Sequence, residues 1–418
     1  MTSTGEINAL GNAGEAAEGW RHLDFFRDVV SQDLGLPEDE FCLRNLEVND
    51  ATGKQSGFMS LLYRVKVDVE FKNGKCERRS YIVKEKSSDV FGGDWVEKFN
   101  VFDKEFEAYQ KLIPEFEKLF RHEVQFAPRF FKAVETPFTV MVMEDLIASG
   151  YEMKDCSNRL SLLDSRAVLS KLAKFHAASA MYYKQNGSYS KSFKTGMYDE
   201  ATAGDSEAYI GNLFKSLVTS MKDRDVSSQF LDLINQWNAN PYVAGAKLFR
   251  LNDIDFNVLN HGDLWMNNVM FGDSDLLMID FQIAFFGSFT FDFLEFVLCT
   301  VEVDEILNEL DELLEYYHQE LKSAFDTLNH SDLSPSLESL QADIERHGFL
   351  AALLIIEAIP MITYSKVGEL SMDLMSSSEP EGEEFRRKLY HNEKFVEVVD
   401  RLLPFLFERG YLKCPEGL

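Results

Sequence analysis

Between Asn260 and Gln282 the chain reads NHGDLWMNNVMFGDSDLLMIDFQ, the segment that most restricts what it can fold into. His261, Asp263, Asn268 and Asp280 stand there among apolar Leu264, Trp265, Met266, Val269, Met270 and Phe271. An acidic surface loop with an Asx-turn would explain the Asp and Asn residues alone. It does not explain their apolar surroundings, because burying such groups is costly unless something pairs them. Val269 to Phe271 and Leu276 to Ile279 predict the two arms of a short hairpin, with Asp280 at its end. The fold must therefore gather a polar loop, a hairpin and a carboxylate into one small volume.

The flanking chain predicts an α+β protein. Its 418 residues exceed one ordinary domain, so two units or one bilobal enzyme are expected. An apolar fraction of 45%, with 35 Phe, fills a sizeable core and argues against long disorder. Residues 1–18 are small and polar and read as a flexible tail, not a signal peptide. Trp20 to Leu36 predicts a first helix, and Leu43 to Lys86 is strand-like. Val65, Val67, Val69 and Phe71 alternate there with Lys66, Asp68 and Glu70, as in a half-buried strand. Asn73-Gly74 marks a hairpin turn, and Arg78 to Lys84 a second strand. Phe99, Phe102, Phe106, Tyr109 and Ile113, spaced by three and four, predict a helix over Val96 to Ile113 that Pro114 interrupts. Pro137 to Leu146 predicts a buried strand. From Leu162 the pattern is mainly helical, with a β island from Asn257 to Phe285. Phe349 to Met361 contains Glu357 and Pro360 and reads as a buried helix, too short to span a bilayer. The expected division is a tail over 1–18, a β-rich lobe over 19–145 ending in a hinge, and a second lobe over 146–418.

A formal charge of −28 argues against nucleic acid and anionic membrane as partners, while leaving room for one small cationic cleft. Five scattered cysteines without a CxxC spacing read as reduced thiols of a cytoplasmic protein, with no zinc site and no disulfide framework. Phosphoryl transfer needs a carboxylate that accepts the proton of the attacking hydroxyl and oxygen ligands that hold Mg²⁺ against phosphates. Asp263 is the candidate base, and Asn268 and Asp280 are the candidate metal ligands. His261 reads as a support of the loop by hydrogen bonding, and His176, on an apolar helix face, as a core residue. No GxSxG or Cys/His arrangement marks a hydrolase.

The run HGDLWMNNVMF followed by IDFQ resembles the ecdysteroid kinase-like (CHK kinase-like) family, which is related to choline kinases and aminoglycoside phosphotransferases. SYIVKEK around Lys84 is similar to its lysine strand, and VFDKEFEAYQKLIPEF to its helix C, with Glu105 in the ion-pair position. VMEDL resembles its hinge and LAKFHAASA the helix before its catalytic loop; the likeness runs over residues 40 to 330 in unbroken order. It implies a bilobal protein-kinase-like fold, with an ATP-binding N-terminal lobe and a larger, mainly helical catalytic lobe. It implies ATP and Mg²⁺ as cofactors, Lys84 on the α/β-phosphates and Glu105 holding Lys84. A loop from Gly53 to Ser60 would cover the phosphates, with Ser60 approaching them, and adenine would lie on the hinge at Met143, Glu144 and Leu146. Asp292, in GSFTFDFLEF, matches an aspartate that supports the catalytic loop from below, although no Pro accompanies Gly287 and Phe293 stands where Leu is usual.

The acceptor implied is a small-molecule alcohol, such as an ecdysteroid or another hydroxylated sterol or xenobiotic. A choline- or ethanolamine-type kinase and a catalytically inactive kinase-fold binding protein are the alternatives. Trp265, Phe285, Phe286, Phe289 and Phe291 either wall a sterol-like body or pack the core. A protein-kinase role is disfavoured, because Asp280 is followed by Phe281-Gln282 and the chain has no DFG and no APE.

Overall fold

The computed structural model describes residues 19–51, 60–86, 100–136, 138–155, 158–199, 203–224, 226, 228–237, 241–364 and 370–414. The expected tail, Gly53 to Met59 of the glycine loop and Val96 to Phe99 of the predicted helix lie outside them. The chain divides into two compact units, Met1–Gly93 with Ala127–Glu152, and Asp94–Phe126 with Met153–Leu418.

In the first unit, alternation in the sequence becomes a sheet with one dry face. Val65, Val67 and Val69 of strand β2 (Leu61–Phe71) are fully buried, while Lys66, Asp68 and Glu70 face outward. β2 pairs antiparallel with β1 (Phe41–Asp50) and β3 (Cys76–Glu85). The turn between β2 and β3 puts Gly74 at φ +78, a conformation that favours glycine. β5 (Val140–Glu144) adds to β3, and β4 (Phe130–Val134) closes the order β1-β2-β3-β5-β4, all antiparallel. Trp20, Phe25 and Phe26 lie on this sheet against Val65, Val67, Tyr81, Val83, Val140 and Val142. Each such side chain contributes about 1.5–3 kcal/mol of burial. The first helix is shorter than expected: α1 spans Arg27–Leu34 after a 3₁₀ turn, and Gly35 caps it at φ +63.

The second unit is mainly helical. α2 (Val101–Glu107) passes through a π turn over Ala108–Leu112 into α3 (Ile113–Leu119). Pro114 therefore does not end the helix; it sits in the first turn of α3, just past the wide turn. α2 and α3 belong to this unit because Lys104 Nζ donates to the Thr195 carbonyl (2.7 Å), Ser190 Oγ donates to Glu107 (2.5 Å), and Phe116 packs edge-on against Phe175 and Tyr182. Among the described residues, 100–126 thus fall with the helical unit and 127–152 with the sheet, whereas the expected division falls once, after 145.

α4 (Leu162–Asn186) begins at Ser161, whose hydroxyl accepts from Asp164 N, and ends at Gly187 with φ +75. It packs along α9 (Val303–Thr327) and against strand β6 (Asn257–Asn260), whose Leu259 N–H donates to Ser179 Oγ at 2.5 Å. Helices α5 (Ala203–Asp223), α6 (Ser228–Gln236) and α7 (Pro241–Leu248) precede β6. Strands β7 (Val269–Phe271) and β8 (Leu276–Met278) form the expected hairpin, and β9 (Phe285–Ser288) returns to pair with β6. Helix α8 (Thr290–Thr300) follows, buried at every position. Beyond α9 come α10 (Leu337–His347), α11 (Leu350–Ile356), α12 (Ala358–Thr363), α13 (Met372–Ser376), α14 (Pro380–Tyr390) and α15 (Glu393–Glu408). The expected single helix over Phe349 to Met361 is broken at Glu357. Pro360 has no N–H for the Ile356 carbonyl, and Tyr390 Oη donates to it instead at 2.5 Å. Among the described residues no helix is long and apolar enough to cross a membrane.

Candidate active site

β6 delivers the chain into the loop that carries Asp263. Gly262 sits at φ +81, and a Cβ there would meet the Ile283 carbonyl oxygen at 2.5 Å, so the backbone path requires glycine. A 3₁₀ turn over Met266–Asn268 follows and brings Asn268 back onto the loop. Asn268 Nδ2 donates both to the Asp263 carbonyl and to Asp263 Oδ2, each at 2.8 Å. The Asn268 carbonyl in turn accepts from Ile279 N at 2.9 Å. One residue thereby ties the loop to the far end of the hairpin, where Asp280 begins. The carboxylates of Asp263 and Asp280 are close enough for the charge of one to act on the other.

Asp280 has φ +71, a left-handed conformation uncommon for a residue other than glycine. Its neighbours hold it there. Its N–H donates to Tyr109 Oη (3.3 Å), and Phe281 packs edge-on against Tyr109 at 5.6 Å. His261 Nε2 hydrogen-bonds the Ile279 carbonyl at 2.9 Å, and its ring lies 4.6 Å from that of Phe281. His261 Nδ1 is buried without a hydrogen-bond partner among the described residues. Burial, opposed by Asp292, holds the imidazole below its ordinary pKa, and Nε2 carries a proton because the Ile279 carbonyl can only accept. Asp292 supports the loop: Oδ2 accepts from His261 N (2.6 Å) and Oδ1 from Gly262 N (2.9 Å). His176, fully buried, joins Asp292 (3.2 Å) to Tyr317 Oη (2.7 Å).

The electrostatics of this volume are one-sided. Burial first, then the charge of Asp280, push the Asp263 carboxyl up to about 7; hydrogen bonds from Asn268 and Trp265 act the other way. Glu295 and Glu357, neither singled out from the sequence, lie close enough to affect it. Glu295 on α8 accepts from Leu264 N at 2.9 Å, and burial followed by the charge of Asp263 drives its carboxyl well above the usual range. Glu357, at the break between α11 and α12, accepts from Tyr198 Oη at 2.7 Å and is raised by burial. A charged residue inside the apolar run TFDFLEFVLCT was the available signal for Glu295. Glu357 stands in an equally apolar stretch, three residues before a proline.

Such crowding of carboxylates suits a bound cation. Asn268 and Asp280 offer the oxygen donors that a hard divalent ion prefers. Among the described residues no group of three His, Cys, Asp or Glu forms a closed protein-only metal site.

The other sequence-predicted residues are distributed as follows. Lys84 lies on β3 opposite Leu62 and Met141 and is buried; Ser60 is buried at the start of the sheet. Met143 and Glu144 are on β5, and Leu146 is buried just beyond it. The Glu144 N–H donates to the Arg129 carbonyl and its carboxylate accepts from Arg129 and Ser149. All of these belong to the first unit, whereas Glu105, buried on α2, belongs to the second with Asp263, Asn268 and Asp280. Of the aromatic residues near the loop, Phe285, Phe289 and Phe291 are core. Phe291 packs against Phe249 (4.9 Å) and Phe285 (5.0 Å), and Phe289 stacks on Tyr317 (5.4 Å).

A β-rich unit, a mainly helical unit, and a loop and hairpin that gather Asp, Asn and Asp define the kinase-like α+β class. Within it, the chain matches the ecdysteroid kinase-like family over residues 54–330 and belongs to that family. A comparison with curated proteins gives no match. Among solved structures, it is similar to a choline kinase from Cryptosporidium parvum Iowa II, with 14% identity, 93% of this chain and 96% of that chain covered, and a TM-score of 0.44. It is also similar to the amicoumacin kinase hAmiN in complex with AMP-PNP, Ca²⁺ and Ami (12% identity, 87% and 92% covered, TM-score 0.33). A choline/ethanolamine kinase family protein from Mesorhizobium loti gives 10% identity, 85% and 92% covered, and a TM-score of 0.34.

Proposed function

We propose that this protein transfers the γ-phosphoryl group of ATP, in the presence of Mg²⁺, to a hydroxyl of a small molecule. The observation that carries the reading is the tie through Asn268, which holds Asp263 by its side chain and the approach to Asp280 by its carbonyl. Asp263 accepts the proton of the attacking hydroxyl. Its carboxyl, raised to about 7, is matched to that task near neutral pH. Asn268 and Asp280 hold the metal, which when bound neutralises charge on the phosphates and on the two crowded aspartates. His261 and Asp292 fix the loop and take no part in proton transfer. Lys84 engages the ATP phosphates, Ser60 lies at the end of the phosphate loop, and Met143, Glu144 and Leu146 receive adenine.

Family membership favours a hydroxylated sterol such as an ecdysteroid, or a hydroxylated xenobiotic, as acceptor. The test is a screen of hydroxylated sterols, choline, ethanolamine and aminoglycosides for an ATP-dependent mass gain of one phosphoryl group. Phosphorylation confined to choline or ethanolamine would replace the sterol reading. Asp263→Asn should bind Mg-ATP as the parent does while transfer falls about 10²–10⁴-fold. An active Asp263→Asn variant would remove the assigned base. Mg-ATP at a hundred times its Kd should stabilise the fold by about 2.7 kcal/mol. No stabilisation and no transfer to any acceptor would leave a kinase-fold binding protein.

A further inference from the structure

Three backbone N–H groups flank Asp263, and helix α8 takes all three. Asp292 accepts from His261 and Gly262, and Glu295 accepts from Leu264 at 2.9 Å. The two carboxyls stand three residues apart, hence on one face of the helix. α8 is buried along its whole length, so this face is a rigid support. Leu264 has 0% exposure, so bulk water does not reach its amide in place of Glu295. Asn268 fixes the Asp263 side chain and Gly262 fixes the path before it. The peptide directly after Asp263 is held at its carbonyl by Asn268 Nδ2 and Trp265 N, and at its N–H by Glu295.

We infer that Glu295 is a positioning residue for Asp263, acting through the Leu264 N–H as Asp292 acts on the other flank. The inference rests on the kinase reading given above. Burial and the charge of Asp263 push the Glu295 carboxyl well above its ordinary range. A carboxyl and a glutamine carboxamide both offer an oxygen to the Leu264 amide, which makes Glu295→Gln a close mimic and Glu295→Leu a deletion of the support.

The experiment uses the full chain with Mg-ATP alone, water serving as acceptor, and reads ADP release together with hydrogen exchange at residues 261–268. Glu295→Leu should lower kcat about a hundredfold, because a small misplacement of a reacting group has that effect. Its KM for ATP should stay within about twofold, since nucleotide binding does not use the loop amide. Exchange at the Leu264 amide should speed up. Glu295→Gln should keep kcat within about threefold and keep the amide protected. Parental kcat in Glu295→Leu, or a loss in Glu295→Gln as large as in Glu295→Leu, overturns the inference. Should Glu295→Leu not fold, Glu295→Asp, one methylene shorter, takes its place with the same expected pattern and the same overturning result. Where the parent releases no ADP to water, exchange alone decides the clamp, and an unchanged Leu264 rate in Glu295→Leu sinks it; the kinase reading stands or falls separately, by the acceptor screen.

Discussion

At the scale of single residues, strain and charge collect where the chemistry is placed. Asp280 occupies the left-handed region at φ +71, which costs a non-glycine residue about 1–2 kcal/mol. Such strain persists only where surroundings enforce it, here Tyr109 and the ties on Ile279. Glycine at 280 would relieve it and alanine would not. Asp280→Gly should therefore exceed Asp280→Ala in stability by about 1 kcal/mol in urea unfolding. Both should lose the Mg²⁺ dependence of nucleotide binding, and a parental Mg²⁺ titration in either would remove Asp280 from the metal site. His261 makes a different prediction. His261→Phe keeps a ring against Phe281 but removes the bond to the half-buried Ile279 carbonyl, at about 1 kcal/mol. An unchanged unfolding midpoint would mean the bond carries nothing. The trio Asp263, Asn268 and Asp280 was legible because their spacing sits inside an apolar run. Glu295 and Glu357 stand in apolar runs that mark them as buried, but the sequence does not say which distant loop each one faces, since that depends on how α8 and the α11–α12 break pack.

At the scale of elements, the sequence showed periodicity well and junctions poorly. The β2 alternation and the turn at Asn73-Gly74 appear in the structure as read. β4 is not legible in the sequence, because FFKAV is short and shows no alternation. Pro114 looked like a stop. A π turn just before it widens the helix where the proline ring would meet a preceding carbonyl, and nothing local in the sequence announces that. The same helix carries a testable charge. Lys104 is fully buried against the Thr195 carbonyl; burial lowers its pKa to about 8, with Asp199 opposing. The unfolded chain, with an ordinary value of 10.5, binds more protons than the folded chain between about 8 and 10.5. Stability from this group therefore rises with pH across that window. Relative to Lys104→Met, the parent should gain up to about 3 kcal/mol between pH 7.5 and pH 10. Paired urea titrations at the two pH values measure it, and a constant difference between parent and variant would show that the lysine is not held as described.

At the scale of the whole molecule, a net charge of −28 opposes the anion that the proposed reaction consumes. The fold was largely legible at this scale, since family membership and the α+β division both followed from motif order. The placement of 100–126 with the helical unit was not, because it depends on contacts of Lys104, Glu107 and Phe116 with residues far away in sequence. The charge acts over a distance set by salt. At 0.01 M the screening length is about 30 Å, so the global field reaches an approaching nucleotide; at 0.1 M it is about 10 Å, and only nearby groups count. A bound Mg²⁺ is a nearby group in the proposed site, and its attraction survives that change. Raising NaCl from 0.01 to 0.1 M should therefore lower KM for ATP, and further salt should raise it again as local attraction is screened. The same first step should raise the Tm by relieving self-repulsion. A KM that climbs steadily from the lowest salt would mean that attraction at the site dominates at every range, and that the acidic surface has no bearing on how nucleotide arrives.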